Sequence, residues 1–188
     1  YLIKEVSFGN DGNISQERLE DCINSDLANN YGNLCQRVIL FNEKNLKLKV
    51  PSNCKFIEED IEILENFKKN FDKLIEYIDN QNINSYVNFI TEQLFAANKY
   101  FNDQEPWKKK SDQKRLNTII YVALELIRKI SIMLYPIIPE SSLKVLNIFN
   151  ISEKQININS IVEHEILKPK IKINKIDILF KKIDNKND

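Results

Sequence analysis

Little in this chain interrupts a helix. Of its 188 residues only three are Gly and five are Pro, so the many tight turns of a sandwich or barrel are missing and long helices are easier to build. Catalytic furniture is missing too. No Gly-rich phosphate loop, metal-ligand cluster or Ser/His/Asp or Cys/His set can be assembled from the sequence, so no catalytic residue is assigned. Acidic residues are plentiful but spread along helix faces that read as solvated. The single histidine, His164, is flanked by Glu163 and Glu165 and reads as a surface side chain rather than a base. Cys22, Cys35 and Cys54 are an odd set with no C-x-x-C spacing, and with His164 they lack finger-like spacing. That argues against zinc and for reduced thiols in a cytoplasmic protein, with no signal peptide in view. Net charge is also missing, since 27 Lys and Arg balance 27 Asp and Glu. A binder that gathers nucleic acid by a global positive field is therefore excluded, and any RNA contact must come from local patches and shaped base pockets. No internal repeat of fixed period is found.

What the chain does have is a core. Hydrophobic residues make up 43% and charged residues 29%, an ordinary globular balance for one domain with an appended tail. Asn, Ile and Lys are heavily used, a bias to which no function is attached. The chain opens at Tyr1 rather than Met, inside the apolar run Tyr1-Leu2-Ile3, so it is expected to start partway through a protein. Residues 7–13 are dense in turn formers and read as a loop. Ser15 is placed to cap a helix, and Asp26 to restart one. Leu27, Tyr31, Leu34, Val38 and Phe41 then fall at helical spacing on one stripe, ended by the loop at 44–55 with Pro51. Further helices are expected over 58–79, 83–101 and 111–135, and a shorter one from Glu140 to Phe149. The 111–135 helix is apolar around most of its circumference and should sit at the centre of a bundle. Glu125, Arg128 and Lys129 interrupt it, which argues against a membrane span. Pro136 and Pro139 end it. Beyond 151 the pattern is irregular, and Lys170-Ile171-Lys172-Ile173 alternates like a strand or extended arm. The expected fold is all-α, an antiparallel helix bundle with an irregular C-terminal tail.

Two constellations could bind. Asn33 and Arg37 stand four apart on one helix flank, about a quarter-turn from the apolar stripe. Together an amide and a guanidinium offer several donors and one acceptor, suited to a base edge; a helix-surface hydrogen-bonding pair is the plainer reading. Trp107, the only tryptophan, follows Pro106 at a helix boundary and precedes Lys108, Lys109 and Lys110, with Lys114 and Arg115 a turn or two on. An exposed indole beside cations is how unpaired RNA bases and their phosphates are met. The same residues would equally make a Trp that fills a helix junction with a solvated Lys run behind it.

Several blocks resemble methionine–tRNA ligases. The opening Tyr1-Leu2-Ile3-Lys4-Glu5-Val6-Ser7-Phe8-Gly9-Asn10-Asp11-Gly12 is similar to the segment after that family's KMSKS loop. Asn24-Ser25-Asp26-Leu27-Ala28-Asn29-Asn30-Tyr31-Gly32-Asn33-Leu34-Cys35-Gln36-Arg37 is similar to the helix opening its anticodon domain. Asn98-Lys99-Tyr100-Phe101-Asn102-Asp103-Gln104-Glu105-Pro106-Trp107 resembles the block ending in the family's anticodon-stacking tryptophan, and 128–139 resembles its long helix and Pro-x-x-Pro exit. The likeness runs in order over about residues 1–150.

The resemblance implies a class I synthetase anticodon-binding domain at 14–150, a connector from the catalytic domain at 1–13 and a tail at 151–188. It implies that Asn33 and Arg37 hydrogen-bond the first base of the CAU anticodon of tRNA(Met), that Trp107 stacks on it, and that Lys108, Lys109, Lys110, Lys114 and Arg115 are placed for loop phosphates. The HIGH-type and KMSKS motifs would lie before Tyr1. ATP with Mg would then serve the catalytic domain of the same polypeptide, and these residues would need no cofactor or metal. Leu179-Phe180-Lys181-Lys182-Ile183 is similar to the family's closing Leu-Phe-Pro-Arg-Ile, with Lys in place of Pro and Arg. In the family that tail folds toward the catalytic body, and without the body it is expected to be loose. Two rival readings remain. One is the anticodon domain of an isoleucine, valine, leucine or cysteine enzyme, against which the Asn33–Arg37 and Pro106-Trp107 pairings argue. The other is a helical protein-interaction module with Trp107 buried and no affinity for RNA.

Overall fold

Helices build the whole architecture among the described residues, as the scarcity of Gly and Pro demands. The computed structural model describes residues 1–5, 14–52, 54–163 and 166–183; the turn-rich run at 7–13, and His164, lie outside them. α1 (Leu2–Glu5) is one turn. α2 (Gln16–Cys22) opens where expected, with the Ser15 hydroxyl accepting from the Arg18 N–H at 3.2 Å. It then runs on, through a π-helical stretch at Ile23–Gly32, into α3 (Asn33–Leu46). The expected restart at Asp26 is therefore corrected. Asp26 caps nothing, because its carboxylate accepts from Lys4 Nζ at 2.6 Å and Cys22 Sγ at 3.3 Å.

The helix expected over 58–79 is two helices, α4 (Glu58–Lys69) and α5 (Phe71–Asp79). The break falls at Asn70, whose side-chain amide turns back onto the Asn66 carbonyl at 2.8 Å and its Oδ1 at 3.0 Å. Such short-range amide bonds compete with the helix ladder. α6 (Ile83–Asp103) starts on Asn82 and α7 (Gln113–Leu134) on Asp112; each side chain accepts from a backbone N–H three residues on. α8 (Pro139–Ile148) begins with proline, whose missing N–H costs nothing in a first turn.

α7 is the axis, touching α3, α4, α6, α8 and the tail. Every residue from Thr118 to Leu134 is buried, and each fully buried Leu or Ile contributes about 1.5–3 kcal/mol. The all-α expectation thus holds, with one short backbone pairing in addition. There the 170–173 arm lies against the turn after α3: Lys170 N–H donates to Val50 O, Val50 N–H to Ile171 O and Ile173 N–H to Leu48 O, each at 2.8 Å. No helix among the described residues is long and apolar enough to cross a membrane.

The tail lies on the bundle rather than loose. Glu125, Arg128 and Lys129, all buried on α7, reach for its backbone. Arg128 donates to Glu125 at 2.7 Å and to the Ser160 carbonyl at 2.9 Å. Lys129 donates to the Ile161 carbonyl, and Glu125 accepts from the Leu167 N–H at 3.2 Å. Farther on, Asn24 and Ile183 exchange two hydrogen bonds of 2.8 and 2.9 Å, and Phe180 packs 6.2 Å from the Tyr31 ring. Gly32 makes room for it: a Cβ there would sit 3.3 Å from Phe180 and 3.1 Å from the Leu27 carbonyl.

Candidate nucleic-acid interface

At the C-terminal end of α6 one buried ring organises everything around it. Phe101 belongs to the α6 core stripe, and three groups meet it. Phe41 of α3 presents an edge at 6.2 Å and 84°. The Arg37 guanidinium carbon stands 5.3 Å from the ring centre, a cation–π contact. Trp107 meets it tilted at 70°, centroids 6.2 Å apart. The indole is nonetheless 41% exposed, so Phe101 supports one side of Trp107 and leaves the rest to solvent.

The chain turns sharply to place that indole. α6 stops at Asp103, and Glu105 adopts a left-handed backbone with φ 43° ahead of a single 3₁₀ turn at Pro106–Lys108. A non-glycine residue held there costs about 1–2 kcal/mol, and strain of this kind gathers where function needs a particular aim. Glu105 also pairs with Lys108 at 2.7 Å, both side chains well exposed.

Arg37 is half-buried and oriented from two sides. Its Nη2 donates to Asn102 Oδ1 of α6 at 2.6 Å, and Phe101 lies against the plane of its charge. Guanidinium carries five donors, so one bond to Asn102 leaves others to offer. Asn33 stands one turn earlier on α3, exposed, at the first residue after the π-helical stretch. The same seam is tied again one turn back along α6, where Asn98 Nδ2 donates to Asn30 Oδ1 at 2.7 Å. A polar strip of amides and one guanidinium thus runs along the α3–α6 seam, closed at its end by an indole.

Of the basic residues expected near Trp107, Lys109, Lys110 and Lys114 are exposed and Lys108 is exposed but paired with Glu105. Arg115 is different, and its expected phosphate role is corrected. Its guanidinium points inward and grips Asp60 of α4 with contacts of 2.5 and 3.0 Å, and Gln104 at 2.6 Å. Tyr100 donates to the same carboxylate. Burial alone would raise the Asp60 carboxyl, but hydrogen bonds from Arg115, the Ile57 N–H and Tyr100 outweigh it and hold it below the usual carboxylate range. The Arg115–Asp60 pair locks α4, α6 and α7 beneath the site and is part of the frame. Phe101 and Asn102 carry no binding task in the sequence reading, yet Phe101 joins Arg37 to Trp107 and Asn102 orients the guanidinium.

Comparison with known proteins identifies the family. A family model described as the anticodon binding domain of methionyl tRNA ligase matches residues 50–188. The methionine–tRNA ligase of Thermotoga maritima is 35% identical over all of this chain, which covers 30% of that protein. That of Brucella suis is 38% identical over 79% of the chain and 29% of its own length. Among solved structures, the apo form of Mycobacterium tuberculosis methionyl-tRNA synthetase superposes with a TM-score of 0.90 at 31% identity, over 97% of this chain and 38% of that one. The chain thus spans about 30% of the length of the curated relatives it matches. Matched family, relatives along the full chain and a shared fold converge: the chain belongs to the anticodon-binding domain family of methionyl-tRNA ligases.

Proposed function

We propose that this chain reads the CAU anticodon of tRNA(Met) for a methionine–tRNA ligase that works in the cytoplasm. The observation that carries the reading is the shared ring of Phe101, against which the exposed Trp107 and the half-buried Arg37 both rest. In this reading the indole stacks on the splayed-out first base, a contact of about 1–3 kcal/mol. Arg37 and Asn33 donate to the O2 and N3 acceptors of cytosine. Uracil presents an N–H where cytosine has N3, which would leave a donor facing a donor and discriminate by a few kcal/mol. Lys109, Lys110 and Lys114, with Lys108 where it leaves Glu105, approach the loop phosphates. ATP-dependent activation of methionine, with Mg, belongs to the catalytic remainder of the relatives' length, joined to this chain in one polypeptide.

In the complete ligase, Trp107→Ala and Arg37→Ala should each lower kcat/KM for tRNA about 10- to 100-fold while methionine-dependent pyrophosphate exchange keeps its rate. An equal fall in pyrophosphate exchange would assign these residues to the structure of the enzyme, not to decoding.

A further inference from the structure

A second aromatic stands on the same helix without a partner ring or a place in the core. Phe95 is 70% exposed, the most of any large apolar residue described, although its neighbours in sequence along α6, Leu94 and Ala97, are buried. Phe95, Asn98 and Asn102 are spaced three and four apart, so they form one stripe on the helix surface. Asn98 and Asn102 are the two amides that bond across the seam to Asn30 and Arg37. The exposed ring therefore continues the strip that ends at Trp107. At 1.5 Å per residue Phe95 lies about 10 Å from Asn102 along the axis, the length of about three stacked nucleotide steps.

The surroundings of Phe95 say what covers it. The residues one turn away on α6, Thr91, Glu92, Asn98 and Lys99, are polar and none is buried. Protein-docking sites gather contiguous apolar area around their anchors; a lone ring in a polar field suits a base, which needs one flat face and tolerates wet edges. A cation is also at hand. Lys99 is 65% exposed and held only by Asp103 four residues on, a surface pair of small worth.

We infer that Phe95 is a second stacking platform, taking an unpaired base of the same RNA loop on the side of Asn102 away from Trp107, with Lys99 at the adjoining phosphate. This rests on the anticodon reading proposed above and extends it from one nucleotide to a longer stretch of the loop.

The test uses the complete ligase and full-length tRNA. Phe95→Ala should lower kcat/KM for tRNA about 5- to 100-fold, through KM, with pyrophosphate exchange unmoved; Phe95→Trp should restore it and Phe95→Leu should not. An abasic nucleotide walked through the loop should abolish the Phe95→Ala penalty at one position, different from the position that abolishes the Trp107→Ala penalty. If Phe95→Ala behaves as wild type while Trp107→Ala is impaired, the inference is overturned and the anticodon reading survives. If both variants behave as wild type, the underlying reading itself fails. Rescue by Leu as good as by Trp, or a penalty that no abasic position removes, would show the ring packing on something other than a base and overturn the inference.

Discussion

The α3–α6 seam and the α7–tail clamp each hold an arginine at a helix surface, yet they use it in opposite ways. Arg128 is completely buried and its guanidinium is consumed by Glu125 and the carbonyls of Ser160 and Glu163. Arg37 is half-buried, makes one side-chain bond to Asn102, and leans on Phe101. A charge whose every nitrogen is bonded inside the protein is a bolt; a charge oriented but not exhausted is a hand held out. The contrast separates what keeps this domain folded from what it offers to a ligand.

The sharpest way to break that contrast is to cut the bolt. Arg128→Ala leaves Glu125 buried without its cation and should cost about 3–5 kcal/mol, seen as a lower urea midpoint and faster hydrogen exchange in the 158–167 segment. Replacing the pair together, Glu125→Leu with Arg128→Met, should recover most of the loss. If Arg128→Ala proved no more costly than Arg37→Ala, the two regions would not differ as described.

Lys129 sharpens the same comparison through pH. Burial, reinforced by the positive Arg128 beside it and opposed by Glu125, pulls the Lys129 ammonium down to about 8 from its ordinary 10.5. Between those values the unfolded chain holds a proton that the folded chain has released, so this group makes stability rise with pH across that window. Below about 8 both states are charged and the cost of burying the charge is fully present. Wild type should therefore gain on Lys129→Met by about 2–4 kcal/mol between pH 7 and 10.5, measured as the difference in unfolding free energy. A constant gap would mean that the amine is solvated.

How much of this was legible in the sequence divides along the same line. Spacing along one helix put Asn33 and Arg37 on one flank and Pro106 put Trp107 at a boundary, because those are short-range facts. Apolar periodicity placed α7 at the centre. The sequence could not separate Arg115 from Lys114, since the partner that turns Arg115 inward, Asp60, lies 55 residues away. Nor could it mark Phe101, which in the pattern is one more core position; its role depends on α3 crossing α6 at that turn. The carbonyls that Arg128 and Lys129 seek belong to an aperiodic tail, so the pattern showed the charges and not their purpose. The break at Asn70 was readable in retrospect from two asparagines four apart.

The smallest effect concerns the lysines. If Lys110 meets a phosphate freely, Lys110→Ala should reduce the slope of log K against log salt by about 0.7. Lys108, held by Glu105, should contribute less, and an equal change for both would mean that the surface pair does not compete with RNA.

In the decoding proposed above, Trp107 stacks on a cytosine held by Arg37. Trp107 is the only tryptophan in the chain, so its fluorescence reports that contact alone. Titration with a CAU stem-loop should quench it, and the same stem-loop with UAU, or CAU with Arg37→Ala, should bind about tenfold or more weaker. Equal quenching by CAU and UAU hairpins, or none by either, would rule out a cytosine pocket at Trp107 and Arg37.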